Sequence, residues 1–204
     1  MPKVVLKYLT LKALGEPIRL LLTYVGQEFE DERWTYEQLY GRRDLIPFGQ
    51  LPVLEIDGKQ YAQSLAIGRY LGRKYGLVGD NPEQDFEIDQ NVDFLYDIRG
   101  RAATVHYEQD PEIKARKHAE NTKNWYPVLL KKLDDIIKEN NGHLAAGKLT
   151  WVDFVFAGMF DHLRVMLQMP DLGQQYPRFQ QLVDSIYTIP RIKAFSDKAP
   201  KCVM

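Results

Sequence analysis

The chain has 204 residues, with 27 lysines and arginines against 28 aspartates and glutamates, a net charge of −1. That balance lacks the basic footprint nucleic acid selects, and the single cysteine, Cys202, excludes an intrachain disulfide framework, a CxxC redox pair and a Cys-rich zinc site. The four histidines (106, 118, 143 and 162) show no HxxxH spacing, and no apolar run approaches the ~20 residues of a membrane span. Residues 1–10 lack a signal-peptide core, so a soluble, cytoplasmic chain is expected, with no membrane or nucleic-acid partner.

The first part reads as short elements. Val4, Leu6 and Tyr8 share one face of a strand. Gly15-Glu16-Pro17 opens a helix whose stripe is Ile18, Leu21, Leu22 and Val25, and Gly26 closes it. Phe29–Trp34 is extended. Leu51–Asp57 is a second apolar run, and Asp57-Gly58 turns it into a returning strand over Gln60–Ala62. Ser64 caps a helix that stops at Gly76. The order is β-α-β then β-β-α, an α+β pattern, and the strand–helix–strand unit predicts parallel pairing.

Residues 77–84 (LVGDNPEQ) read as a linker between a domain of residues 1–76 and one of residues 85–204. Beyond it the pattern is helical. Phe86, Asp89, Val92, Asp93, Tyr96 and Asp97 belong to one long helix ending near Asp110-Pro111. Leu129, Leu130, Leu133, Ile136 and Ile137 mark a further helix, with Pro127 kinking or breaking the approach to it. Helices around 151–168, 178–188 and 190–197 follow. Thr150 and Asp153 form a capping box, with Leu149 and Phe154 placed as its hydrophobic staple; that is a folding device first.

Three features bear on chemistry. Pro52 opens an apolar strand inside PFGQLPVL (47–54); an ordinary trans proline is favoured for the isolated feature, and a cis bond would turn the Leu51 backbone groups away from the sheet. Gln63-Ser64 heads a helix, whose free N–H groups suit a carboxylate. Tyr8 ends the first strand. Each has a bland packing explanation by itself.

Together these features resemble a cytosolic glutathione transferase over essentially the whole chain. Glu30–Arg33, Pro47–Gly58 and Gln63–Leu71 are most similar to the sigma class, which includes insect detoxification enzymes, haematopoietic prostaglandin D synthases and lens S-crystallins. The resemblance implies a thioredoxin-like N-terminal domain, an all-helical C-terminal domain and a homodimer. Tyr8 would donate a hydrogen bond to the glutathione sulfur. The Leu51 backbone, beside cis Pro52 and adjoining Gln50, would pair with the cysteinyl part. Gln63 and Ser64 would hold the γ-glutamyl carboxylate and Arg43 the glycyl carboxylate, while Asp97 would reach the γ-glutamyl amine bound to the other subunit. The electrophile pocket would form from Leu14, Arg99, Tyr107 and Phe160.

Two departures are informative. Leu14 and Leu39 stand where vertebrate sigma enzymes carry Arg and Trp; Leu14, itself at the glutathione site, removes a cation near the thiolate. Tyr96 interrupts the acidic trio that binds a divalent ion in the prostaglandin synthases, although Asp93 and Asp97 match it, so no metal is expected. The implied activity is conjugation of glutathione to hydrophobic electrophiles such as aryl halides or lipid-peroxidation aldehydes. Isomerisation of prostaglandin H and a structural, S-crystallin-like role are the alternatives; five methionines and no evident insertion near 110–125 speak against the latter.

Overall fold

The computed structural model describes residues 2–200, so Cys202 lies outside the described residues. The sheet contains β1 (Val4–Leu9), β2 (Glu30–Trp34), β3 (Val53–Ile56) and β4 (Lys59–Ala62), in the order β2-β1-β3-β4. β2 runs parallel to β1, as the strand–helix–strand unit requires, and β3 and β4 form the expected antiparallel hairpin. Asp57 (φ +49°) and Gly58 (φ +82°) supply the left-handed pair of residues that a two-residue hairpin loop needs. Crossover helix α1 (Glu16–Tyr24) carries Pro17 in its first turn. It ends where Gly26, at φ +70°, lets the Gln27 N–H reach the Leu22 carbonyl at 3.0 Å.

A short helix, α2 (Tyr36–Gly41), was not legible as an apolar stripe; it exists through a capping box. The Gln38 N–H donates to the Thr35 hydroxyl at 3.2 Å, and the Thr35 N–H donates to the Gln38 side chain at 2.8 Å. Helix α3 (Ser64–Lys74) corrects one expectation. Ser64 is its first helical residue rather than its cap, and Gln63 occupies the cap position with φ +72° and makes no side-chain cap bond.

The described residues after 81 form helices α4 (Pro82–His106), α5 (Pro111–Asn124), α6 (Tyr126–Glu139), α7 (Trp151–Leu167), α8 (Leu172–Gln175), α9 (Pro177–Tyr187) and α10 (Pro190–Lys198). The long α4 stops at His106, short of Asp110. That aspartate instead caps α5, accepting from the Glu112 and Ile113 N–H groups at 2.9 and 3.1 Å. Pro127 lies in the first turn of α6 and marks a break between helices, not a kink.

Helix α7 is the keel. Every residue from Trp151 to Phe160 is buried, and one continuous apolar core runs from Val4 and Leu6 through α1, α4 and α7 to Ile192. Backbone approach is close where α7 meets α1: a Cβ on Gly158 would lie 2.6 Å from the Pro17 nitrogen, so only glycine fits. The capping box at the start of α7 holds a fully buried carboxylate. Asp153 accepts from the Thr150 N–H at 2.8 Å and from the Leu144 N–H at 2.7 Å, and His143 Nδ1 lies 3.4 Å away. Removing the carboxylate strands two buried donors at ~1–3 kcal/mol each. Asp153→Ala is therefore expected to lower unfolding stability by about 2–4 kcal/mol, read as a lower urea midpoint with unchanged slope; a midpoint equal to that of wild type would remove Asp153 from this role.

Candidate active site

Three strand ends meet on one edge of the sheet. Lys7 pairs with Val53 and Val53 pairs with Ala62, so the next residues along these chains are Tyr8, Pro52 and Gln63. The Leu51–Pro52 peptide bond is cis. Pro52 is buried, Leu51 and Ser64 are half-buried, and Gln50 and Gln63 are exposed at this edge. Ser64 Oγ lies 3.1 Å from the Tyr96 hydroxyl, tying the start of α3 to α4. Arg43 is exposed, its guanidinium 5.9 Å from the centre of the Tyr40 ring.

Tyr8 is buried, and its ring is packed so tightly against Gly15 that a Cβ there would come within 2.4 Å of a ring carbon. Its hydroxyl oxygen accepts from the Leu14 N–H at 3.1 Å. The loop that supplies this N–H is shaped from below by Arg19, which is fully buried. Arg19 pairs with Asp31 at 3.0 Å and Glu16 at 3.2 Å, and donates to the carbonyls of Leu11 and Leu9 at 2.9 and 3.4 Å.

Above Tyr8 a cavity of about 440 Å³ opens between the loop and helices α4 and α7. Tyr8, Leu14, Arg99 and Tyr107 line it together. Phe160 does not: it is buried in the core, its ring 5.7 Å from that of Phe156. The wall contributed by α7 is His162 and Val165 instead. Lys12, Tyr36 and His106 also line the cavity. Asp97, exposed on α4, is not among the lining residues.

Family models agree with this architecture. Residues 4–73 match the glutathione S-transferase N-terminal domain, and residues 96–199 match the glutathione S-transferase C-terminal domain. Glutathione S-transferase 2 of Manduca sexta is 59% identical over 201 residues, covering 98% of each chain. The chain belongs to the glutathione S-transferase family. Among solved structures, the transferase is similar to prostaglandin synthase D of Nilaparvata lugens (TM-score 0.91, 38% identity, 98% of this chain and 100% of that one). It is also similar to a sigma class glutathione transferase of Fasciola hepatica (TM-score 0.84, 28% identity, 98% of each chain).

The electrostatics of the transferase site keep its hydroxyl protonated. Burial pushes the Tyr8 hydroxyl up to about 12, against the opposing pull of the Leu14 N–H and the charges of Arg19 and Arg99. The oxygen already accepts from Leu14, so the remaining proton is free to point towards a ligand. Burial, then the Arg99 and His106 charges, pull His162 down to about 4. His106 is lowered by burial and by Lys114. Among the described residues, no three His, Cys, Asp or Glu side chains gather in a metal-binding group, and no helix is long and apolar enough to cross a membrane.

The His162 shift has a sign. A histidine with a lowered folded value leaves the unfolded chain binding the extra proton, so stability falls as the pH drops from ~6.5 towards about 4. His162→Gln is expected to flatten the pH dependence of the urea midpoint across that window. Carbon-13-edited NMR should show the wild-type imidazole still neutral at pH ~5.5; a normal histidine titration would overturn the assignment.

Proposed function

We propose that this transferase joins the thiolate of glutathione to hydrophobic electrophiles, in the manner of a cytoplasmic, sigma class detoxification enzyme, with lipid-peroxidation products among its substrates. The observation that carries the reading is the Tyr8 hydroxyl, neutral and held by the Leu14 N–H at the floor of the 440 Å³ cavity. A free thiol titrates near ~8.5, and only its thiolate is the nucleophile. A hydrogen bond to a charged acceptor is worth ~1.5–3 kcal/mol, or about one to two pKa units. One donated hydrogen bond therefore brings bound glutathione near neutrality without a protein base. Binding then holds the sulfur beside the electrophile.

The sheet edge supports the ligand assignment. The Leu51 backbone and Gln50 would meet the cysteinyl part beside Pro52. The first N–H groups of α3, with Gln63 and Ser64, would take the γ-glutamyl carboxylate. Gln63 holds a backbone conformation that a non-glycine residue rarely adopts, and such conformations cluster at ligand sites. Arg43 and Leu14 complete the glutathione contacts. Leu14, Arg99 and Tyr107 would face the electrophile.

We assign the assembly as a homodimer. Phe48 is 76% exposed on a left-handed turn (φ +57°), apolar surface that a second copy would cover. Asp97, exposed and outside the cavity of its own chain, would reach glutathione held by the other subunit. Sedimentation is expected to give about twice the chain mass of 23.8 kDa, with Phe48→Ser weakening association; a wild-type monomer at micromolar concentration would overturn the assignment.

The conjugation reading is tested with 1-chloro-2,4-dinitrobenzene. Wild type should show an apparent pKa near or below neutrality in kcat/KM. Tyr8→Phe should raise it by about one to two units and cut turnover at neutral pH roughly tenfold or more, with glutathione affinity nearly unchanged. An identical pH profile in the variant would remove Tyr8 from the mechanism.

A further inference from the structure

The cavity above Tyr8 holds an unbalanced positive charge. Arg99 lines it, and the Arg99 Nε is shielded from solvent with no hydrogen-bond partner. Among the described residues Arg99 makes neither a hydrogen bond nor an ion pair; its guanidinium carbon lies 5.8 Å from the centre of the Tyr96 ring. The other cation on the wall, Lys12, is paired with Asp161 at 2.8 Å. His106 and His162 are both pulled towards their neutral forms. A shielded donor without an acceptor is uncommon in folded proteins, and this one belongs to a cation on the wall of the cavity, where an oxygen of a bound ligand would meet the guanidinium.

We infer that Arg99 is the anion-recognising residue of the electrophile pocket, and that the preferred electrophiles are apolar molecules carrying a carboxylate. This rests on the glutathione-conjugation reading and narrows its substrate class. A planar guanidinium matches a carboxylate with two parallel N–H donors, a fit that an ammonium lacks. Leu9, Leu11, Leu14 and Val165 offer the apolar walls for the body of such a molecule. The carboxylate anchors at Arg99 and keeps its charge throughout, while the reactive carbon sits by Tyr8. For an unsaturated ketone the new bond is C–S. The C=C electron pair moves into the enolate, and the α-carbon takes a proton from solvent.

Ethacrynic acid and its methyl ester share the reactive enone and differ in that charge and one methyl group, and their ratio of kcat/KM, corrected for the uncatalysed ratio, tests the assignment. Wild type should favour the acid. Arg99→Gln should lower the acid-to-ester ratio roughly tenfold or more, the scale of a lost charge-assisted hydrogen bond, chiefly through KM for the acid, and Arg99→Lys should recover part of it. An acid-to-ester ratio that Arg99→Gln does not move, or a wild type with no preference for the acid, overturns the inference while leaving conjugation intact. Folded wild type inactive on acid, ester and 1-chloro-2,4-dinitrobenzene overturns the conjugation reading and this inference with it.

Discussion

The buried carboxylate of Asp153 is the contact on which the rest of the molecule hangs. Taking an ionised group out of water is costly unless donors replace the lost hydration. Here backbone N–H groups from Leu144 and Thr150 do so, with His143 alongside, and burial of the charge fixes the loop before α7 as well as the helix start. The next residue but one upstream, Trp151, then lies over α3, where a Cβ on Gly72 would come within 2.6 Å of its ring. The Trp151 N–H also donates to the Leu77 carbonyl at 3.0 Å. The segment joining sheet and helices is thereby stitched to the helix that both halves pack against.

From that frame the chemistry needs little. The sheet brings three strand ends to one edge, Arg19 shapes the loop from beneath, and the loop hands its Leu14 N–H to the Tyr8 hydroxyl. The protein supplies a neutral donor, a nearby cation and a partly apolar cavity; the reactive sulfur comes with the co-substrate.

What could be read in the sequence was local. The Asp57-Gly58 turn, the Gly26 terminus and the Thr150–Asp153 box are each written in a few adjacent residues, and all appear in the fold; the first strand appears too, but runs one residue past Tyr8 to Leu9. Ser64 was misplaced by one position because Gln63 takes a left-handed conformation that nothing in the Gln-Ser pair announces. Phe160 was misassigned for a different reason. With every residue from Trp151 to Phe160 buried, α7 has no polar face along that stretch, and periodicity cannot say which side meets a cavity. Arg19 was one more polar residue on a helix in the sequence; only the fold shows it buried beneath the active-site loop. Arg99, Lys12 and His162 come together from separate elements, so their balance of charge exists only once the chain is folded.

Helix α7 carries two duties on separate stretches. Its first turns are clamped by Asp153 and by the close approach of Gly158 to Pro17, whereas His162 and Val165, about two and a half turns or more beyond the aspartate, form the cavity wall. Exchanging the residues at 162 and 165 would therefore reshape the cavity wall while leaving the contacts of Asp153 and Gly158, and the helix they clamp, in place.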